Sequence, residues 1–387
     1  MQRVVRASRF ALAAGLLCAV VSTGTAGAQN APYVVGAIVS ESGPASTLGR
    51  PAADSIRLAV DELNAGGGIG GHRIDLKIVD DQSVPANAVN AARQLLDQHP
   101  IALLGSTGTP TSLAIVPVAA AAQVPLISMG SSAQIIEPVA ERTWTFKIPV
   151  ADTFIAERLA QAMKARKIAR VALIYRDDDY GKGGLARFTQ VAKTAGIDVV
   201  DAEPVAANAT DATTQLTHVK AANPQAVLVW TTLPSASVVL KGYRELNLPY
   251  PLCFSEGAAS QLFLEQAGSA LDGALFATEK AAVASAIPAS DPQKAVLTHY
   301  ATEFVRRYPK DGPPGIFGGF GYDAVYVLAE AARKGGGDGA KLRDALEHVR
   351  YTGVSGVFRL SPADHNGLGL DAVELAQVVN GKFVVVH

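Results

Sequence analysis

Short apolar runs alternate along this chain with stretches whose apolar residues recur every three or four positions, and the two patterns call for strands and helices in turn. Tyr33 to Ser40 (YVVGAIVS) is a continuous apolar run, the first buried strand, and Glu41-Ser42-Gly43-Pro44 is the loop at its exit. Arg50 to Asn64 carries Ile56, Ala59, Val60 and Leu63 on one helical face and runs into a glycine cluster, followed by the strand HRIDLKIVDD and a helix from Pro85 to Gln98. The runs IALLG and VPLISMG then predict two adjacent parallel strands with a helix between them, opened by Pro110 directly after Thr109 as N-cap. The alternation continues: helix over Asp152 to Arg166, strand ARVALIYRDD, helix from Tyr180 to Gly196, strand IDVVDAEPV, helix over Thr213 to Ala222, strand AVLVWTT, helix over Pro234 to Leu246 and strand PLCFSEG. Such βα repetition argues for parallel sheets covered on both faces, in more than one lobe.

The last third is less regular. Gly273 to Glu279 reads as a strand and Asp291 to Arg307 as a helix; a Gly/Pro-rich run from Gly312 to Gly321 precedes a helix over Tyr322 to Lys334. After the helix KLRDALEHV come strands at Val357 to Leu360, Asp371 to Val379 and Phe383 to Val386, with Asn380-Gly381 as a hairpin turn.

Candidate chemistry sits at strand exits. IALLG is followed by Ser106, Thr107 and Thr109, and VPLISMG by Ser131 and Ser132. Ligands of open α/β sheets lie at the carboxyl ends of strands, where loop backbone and helix amino ends converge, so two hydroxyl-lined exits facing one cleft would receive a small carboxylate. Taken singly, such hydroxyls serve as caps and turns.

Composition narrows the class. Arg3, Arg6 and Arg9, the apolar stretch Phe10 to Val21 and Ala26-Gly27-Ala28 have the layout of a cleaved secretory leader, expected over residues 1–28, and Cys18 lies inside its apolar run behind Leu17, which argues against a lipid anchor. The exported chain would keep Cys253 alone and form no internal disulfide. The formal charge of −1 contains no basic block, so a nucleic-acid surface is not indicated. Catalytic signatures such as GxSxG, HExxH, a phosphate loop or CxxC are missing. The GxGxxG of Gly66, Gly68 and Gly71 follows a helix instead of opening one, and Asp177-Asp178-Asp179 reads as a solvated loop capping the next helix in preference to a metal site.

The stretch VGAIVSESGPASTLGRPAADSIRLAVDELNAGGGIGGHRIDLKIVDDQS, with LLGSTGTPTSLAIVPVA, VPLISMGSSA, VALIYRDDDYGKG and GYDAVYVLAEA in the same order, resembles the leucine/isoleucine/valine-binding protein family, the periplasmic receptors of branched-chain amino-acid ABC importers. The resemblance implies an α/β fold of two doubly wound lobes of parallel sheet joined by three crossings, residues 29–146 with 281–351 forming one lobe and 151–276 with 357–387 the other. It implies that Thr109 and Ser132 hold the ligand carboxylate and ammonium, with Ser131 beside them and Gly130 offering backbone groups. It also implies that Glu256 receives the ammonium and that Tyr180 and Phe317 flank the ligand. The family's first-lobe Tyr is Leu48 here, and its second-lobe Tyr aligns with Thr232, with Trp230 two residues earlier on the same strand face. Its disulfide positions are Ser83 and Gly108. A chain of this kind would be a periplasmic, monomeric, cofactor-free receptor that delivers an amino acid, branched-chain or otherwise aliphatic, to an ABC permease in the inner membrane. An aromatic or other organic acid is the alternative ligand, and a signalling partner the alternative recipient.

Overall fold

Seen in a computed structural model that describes residues 30–386, the apolar runs become parallel strands and the periodic stretches become the helices that cover them. The expected leader, with its cleavage site and Cys18, lies outside the described residues. The first lobe begins with β1 (Asn30–Val39), α1 (Ser46–Ala65), β2 (His72–Asp80), α2 (Pro85–Leu96), β3 (Ala102–Gly105), α3 (Thr109–Ala122), β4 (Leu126–Ser128) and β5 (Thr145–Lys147). These strands form a five-stranded sheet in the order β2-β1-β3-β4-β5, parallel throughout.

After Lys147 the chain crosses into α4 (Asp152–Ala165), β6 (Arg170–Arg176), α5 (Asp179–Ala195), β7 (Asp198–Val205), α6 (Thr213–Ala222), β8 (Ala226–Trp230), α7 (Ser235–Glu245), β9 (Leu252–Phe254), α8 (Gln261–Ala267) and β10 (Leu275–Glu279). It then returns to pack α9 (Lys294–Arg307), α10 (Ile316–Gly335) and α11 (Gly339–Leu346) on the first side, where Tyr300 meets Ser55 and Tyr322 donates to Glu62. Next comes a two-stranded ribbon, β11 (Arg350–Thr352) with β12 (Val357–Arg359), that joins neither large sheet. Val357, the start of the segment expected in the second lobe, pairs there with Thr352. The loop beyond it is bonded to the first crossing: Lys147 N donates to His365 O at 3.0 Å, and Asn366 Nδ2 donates to Lys147 O and Pro149 O at 3.1 and 2.8 Å. Finally β13 (Val373–Val379) and β14 (Lys382–Val385) add antiparallel to the edge of a seven-stranded sheet ordered β14-β13-β10-β9-β8-β6-β7. Two lobes of mostly parallel sheet, linked by crossings after β5, β10 and β12, are thus the architecture that the family resemblance implied.

Local corrections have physical reasons. Helix α3 starts at Thr109 with Gly108 as its cap, so Thr109 is the first helical residue, which turns its hydroxyl toward Ser132. Helix α1 begins at Ser46, not Arg50, and α8, short and flanked by loops, carried no periodic signal. The acidic run does cap α5: Asp178 accepts from the backbone N–H groups of Tyr180 and Gly181. Helix α10 begins at Ile316, inside the Gly/Pro-rich run and ahead of the expected Tyr322, because Gly318 and Gly321 permit a close helix crossing. A Cβ built on Gly321 would stand 2.3 Å from the carbonyl oxygen of Ala52 in α1, and one on Gly318 would stand 2.3 Å from the Tyr300 hydroxyl. Replacing Gly321 by Ala is therefore expected to lower unfolding free energy by about 3 kcal/mol in urea titrations, since backbone would have to move. Gly315→Ala, with nothing within 4 Å, should stay within about 1 kcal/mol of wild type.

Candidate functional site

The hydroxyls after the first-lobe strands divide into two groups. Ser106, Thr107 and Ser128 hold strand ends together: Ser106 and Ser40 both donate to the buried carboxylate of Asp81, Ser40 N donates to Thr107 Oγ1 at 3.2 Å, and Ser128 Oγ donates to Ser112 Oγ at 2.8 Å. Thr109 and Ser132 form the other group. They are buried side by side, the N–H of Ser132 donating to Thr109 Oγ1 at 3.4 Å, and each keeps most of its hydrogen-bonding capacity. Gly130 is close by, but its N–H is taken by Ser128 Oγ at 3.0 Å, so of the backbone groups expected to serve a ligand the donor is spent inside the lobe. Ser131 is half-buried, and its carbonyl accepts from Lys147 Nζ at 3.1 Å.

Helix α5 of the second lobe lies directly over this pair. A Cβ built on Gly183 would stand 2.9 Å from Ser132 Oγ, so the glycine is what lets α5 come so near. At the amino end of the same helix, the Tyr180 hydroxyl meets Ser255 Oγ at 3.0 Å and donates to Glu256 Oε1 at 3.1 Å. Thr109, Ser132, Tyr180 and Glu256 are therefore gathered around one seam between the lobes. Thr232, at the exit of β8, accepts from Arg176 Nη1, and the Arg176 guanidinium lies 5.2 Å from the centre of the Tyr180 ring. Gaps open between the lobes, among them one of about 580 Å³ between α8 and β14 on the second side and α9 on the first. Another of about 390 Å³ is bounded by α1, α8 and the first turn of α10, with Phe317 in its wall; a narrower one of about 90 Å³ is lined by Ser83 and Gly108, the lost disulfide positions, and by Arg176.

Leu48 and Trp230, two of the expected wall residues, are buried in the same cluster of apolar side chains that holds Tyr180 and Phe317. Trp230 lies beneath α5, where a Cβ on Gly184 would stand 2.2 Å from its Nε1; that N–H has no acceptor, and the Trp230 ring lies 6.4 Å from the Tyr180 ring between centres.

Charge at the seam is lopsided. Glu256 Oε2 and both carboxylate oxygens of Glu279, at the carboxyl end of β10, are buried without a hydrogen-bond partner, as are the hydroxyls of Thr231 and Thr278 on the same sheet edge. Burial pushes the Glu256 carboxyl up to about 7, against the pull of its own backbone N–H and the Tyr180 hydroxyl. Burial likewise pushes Glu279 up to about 8, and the charge of Glu256 adds to the rise. Asp152 is raised by burial too, although Lys147 and Arg187 oppose the shift. Lys147, the cation within reach of all three carboxyls, is itself lowered to about 8 by burial. Its ammonium is caged by the carbonyls of Ser131, Pro149 and Val150. A sheet edge with this many unmet acceptors is suited to receive a cationic group. Glu279, Lys147, Asp152 and Arg176 were missed in the sequence; the available signal was a charged residue at or just past the end of an apolar run, as in FATEK, TFK and LIYR. Among the described residues no helix is long and apolar enough to cross a membrane, and no cluster of three metal-ligating side chains occurs.

Comparison with known proteins agrees with this architecture. The periplasmic binding protein family matches residues 32–382. Leu/Ile/Val-binding protein homolog 7 of Brucella abortus (strain 2308) is 28% identical over 342 residues, covering 83% of this chain and 82% of that protein. The leucine-, isoleucine-, valine-, threonine-, and alanine-binding protein of Pseudomonas aeruginosa is 24% identical over 314 residues, 79% of each. Among solved structures, an extracellular ligand-binding receptor from Rhodopseudomonas palustris HaA2 superposes with a TM-score of 0.86 at 26% identity, covering 92% of this chain and 99% of its own. LivJ from Streptococcus pneumoniae in complex with isoleucine gives a TM-score of 0.80 at 24% identity, covering 92% and 99%, a likeness of fold. With a match spanning nearly the whole described chain, the protein belongs to the periplasmic binding protein family and resembles its leucine/isoleucine/valine-binding members.

Proposed function

We propose that this chain is the periplasmic receptor of an ABC importer and that it closes its two lobes on a small α-amino acid. The observation that carries the reading is the unpartnered Oε2 of Glu256, buried beside the Tyr180 hydroxyl at the seam. A buried carboxylate without a partner is costly, and a ligand ammonium relieves it. The ligand carboxylate then falls to Thr109 and Ser132 across the seam, each charge-assisted hydrogen bond contributing about 1.5–3 kcal/mol. Phe317 stands at the rim for the side chain.

Because these groups come from different lobes, the ligand bonds to all of them only when the lobes are shut, and its binding shifts the open/closed balance by that difference. A permease in the inner membrane would read the shut form of a monomeric receptor. An aliphatic side chain is favoured by the names of the relatives, one of which binds leucine, isoleucine, valine, threonine and alanine. The alternative of an aromatic or other organic acid rests on Leu48, Thr232 and Trp230, of which Thr232 stands at the exit of β8 bonded to Arg176.

Calorimetric titration of the mature protein with leucine, isoleucine and alanine should show binding, with a matching rise in melting temperature. Glu256→Gln should weaken the tightest of these by about 100-fold while leaving the melting temperature of the free protein nearly unchanged. A variant that keeps full affinity would refute the assignment of the ammonium to Glu256.

The pH dependence has a fixed sign. The ammonium needs Glu256 ionised, and at the shut seam of the empty protein burial holds that carboxyl near 7, so a ligand taken into the shut form below that value must release a proton. Affinity is expected to rise by up to about tenfold per unit between pH 5.5 and 7, and Glu256→Gln should remove most of that slope.

A further inference from the structure

The close approach of α5 to Ser132 brings a second pair of residues together further out along the seam. Ser132 caps a short helical turn, Ala133–Ile135, and the chain keeps that path as far as Glu137, whose N–H donates to Ala133 O at 3.0 Å. Glu137 is thus fixed to the same turn as the hydroxyl that faces α5. On α5, Gly183 and Arg187 are four residues apart and share one helical face. The face that seats Gly183 over Ser132 therefore carries Arg187 to Glu137, and the guanidinium Nη2 donates to Glu137 Oε2. Glu137 lies in the connection from β4 to β5 of the first sheet, and α5 joins β6 to β7 of the second, so the pair spans the lobes. Arg187 also has a carboxylate on its own side: Asp152 Oδ1, at the start of α4, is 3.9 Å from its Nε, beyond hydrogen-bond distance. That oxygen accepts instead from the N–H of Ala133 across the seam, at 3.4 Å. Among the described residues no other carboxylate is within ion-pair distance of Arg187.

We infer that Arg187 and Glu137 are a positioning pair, a latch between the lobes that holds the shut form and so sets how long an enclosed molecule stays. Closure then works as an exchange of partners. With the lobes apart, Glu137 and the Ala133 N–H are both out of reach, and Arg187 and Asp152 are left to each other. With the lobes shut, Arg187 moves to Glu137 and Asp152 takes the backbone donor, so neither charge is stranded in either form. Because Glu137 rides on the turn that Ser132 caps, a ligand that fixes Ser132 also steadies the latch. The inference rests on the proposed opening and closing of the lobes, but not on the identity of the guest. The two side chains are 28% and 47% exposed, so water and salt screen the pair and its effect is a few-fold one.

Two measurements on the mature protein test the latch, each on wild type, Glu137→Gln, Arg187→Gln and the double variant. In the first, without amino acid, dyes on Gln98→Cys and Thr214→Cys, exposed positions after α2 and in α6, report single-molecule transfer between the lobes; Cys253 is buried and takes no dye. The ratio of shut to open molecules is expected to fall about threefold in Glu137→Gln. In the second, with leucine as the probe, stopped-flow dissociation should be about threefold faster in Glu137→Gln, with the association rate unchanged, since the latch forms after capture. In both, Glu137→Gln should have no effect once Arg187 is replaced by Gln, a coupling that independent structural damage at two sites would not produce. Either effect, if it disappears in the Arg187→Gln background, supports the latch. It is overturned if the shut share and the dissociation rate are the same in wild type and Glu137→Gln, an empty shut state in both included, or if Glu137→Gln loses as much in the Arg187→Gln background as in wild type. Should leucine, isoleucine and alanine all fail to bind, the proposed function falls, and the dye measurement decides the latch by itself.

Discussion

A parallel sheet can be covered by helices on both faces, but its strands must end somewhere, and here the carboxyl ends of two sheets end against each other. That abutment removes water from polar groups that the sheets cannot satisfy by themselves. On the first side the difficulty is largely resolved internally: Asp81 accepts from Ser40 and Ser106, and serine hydroxyls bridge β3, β4 and α3. On the second side it is left open, with Glu256, Glu279, Thr231 and Thr278 all carrying unmet oxygens. The asymmetry is informative because buried polar groups in folded proteins are otherwise nearly always paired. A guest molecule is the simplest partner that such an edge lacks.

Much of this architecture was legible in the hydrophobic pattern, because the strands that build the sheets are buried on both faces and therefore read as unbroken apolar runs. The pattern failed where packing and not propensity decides. Gly318 and Gly321 break helices in isolation, yet α10 runs through them, since the close crossing over Ala52 and Tyr300 needs positions without a Cβ. Thr109 and Glu256 could be singled out because hydroxyl and acidic residues at strand exits stand out from apolar runs. Leu48 and Trp230 could not be sorted from pocket residues, because an apolar side chain looks the same whether it lines a cleft or fills a core. Arg176, Lys147 and Glu279 escaped for the opposite reason: each lies at the last position of a strand and passes in sequence for a solvated end. Only tertiary context shows that those strand ends are dry.

The cluster of charges also ties ligand recognition to the joint between the lobes. Lys147 ends β5 at the first crossing, and its ammonium, enclosed by carbonyls, reaches back to Ser131, next to the Ser132 hydroxyl at the seam. The loop after β12 clamps the same crossing through His365 and Asn366, so the first and third crossings move as one piece. Around Lys147 stand Asp152, Glu256 and Glu279, and their number exceeds what a single ammonium can neutralise. With the lobes shut and no guest present, this surplus must be carried either as unpaired charge or as bound protons, each of which disfavours the shut form. With the lobes apart, water reaches the second-sheet edge and the penalty falls. A cationic group seated at that edge would offset the surplus, so on the proposed reading the carboxyls that take up an ammonium also bias the lobes toward opening when none is bound.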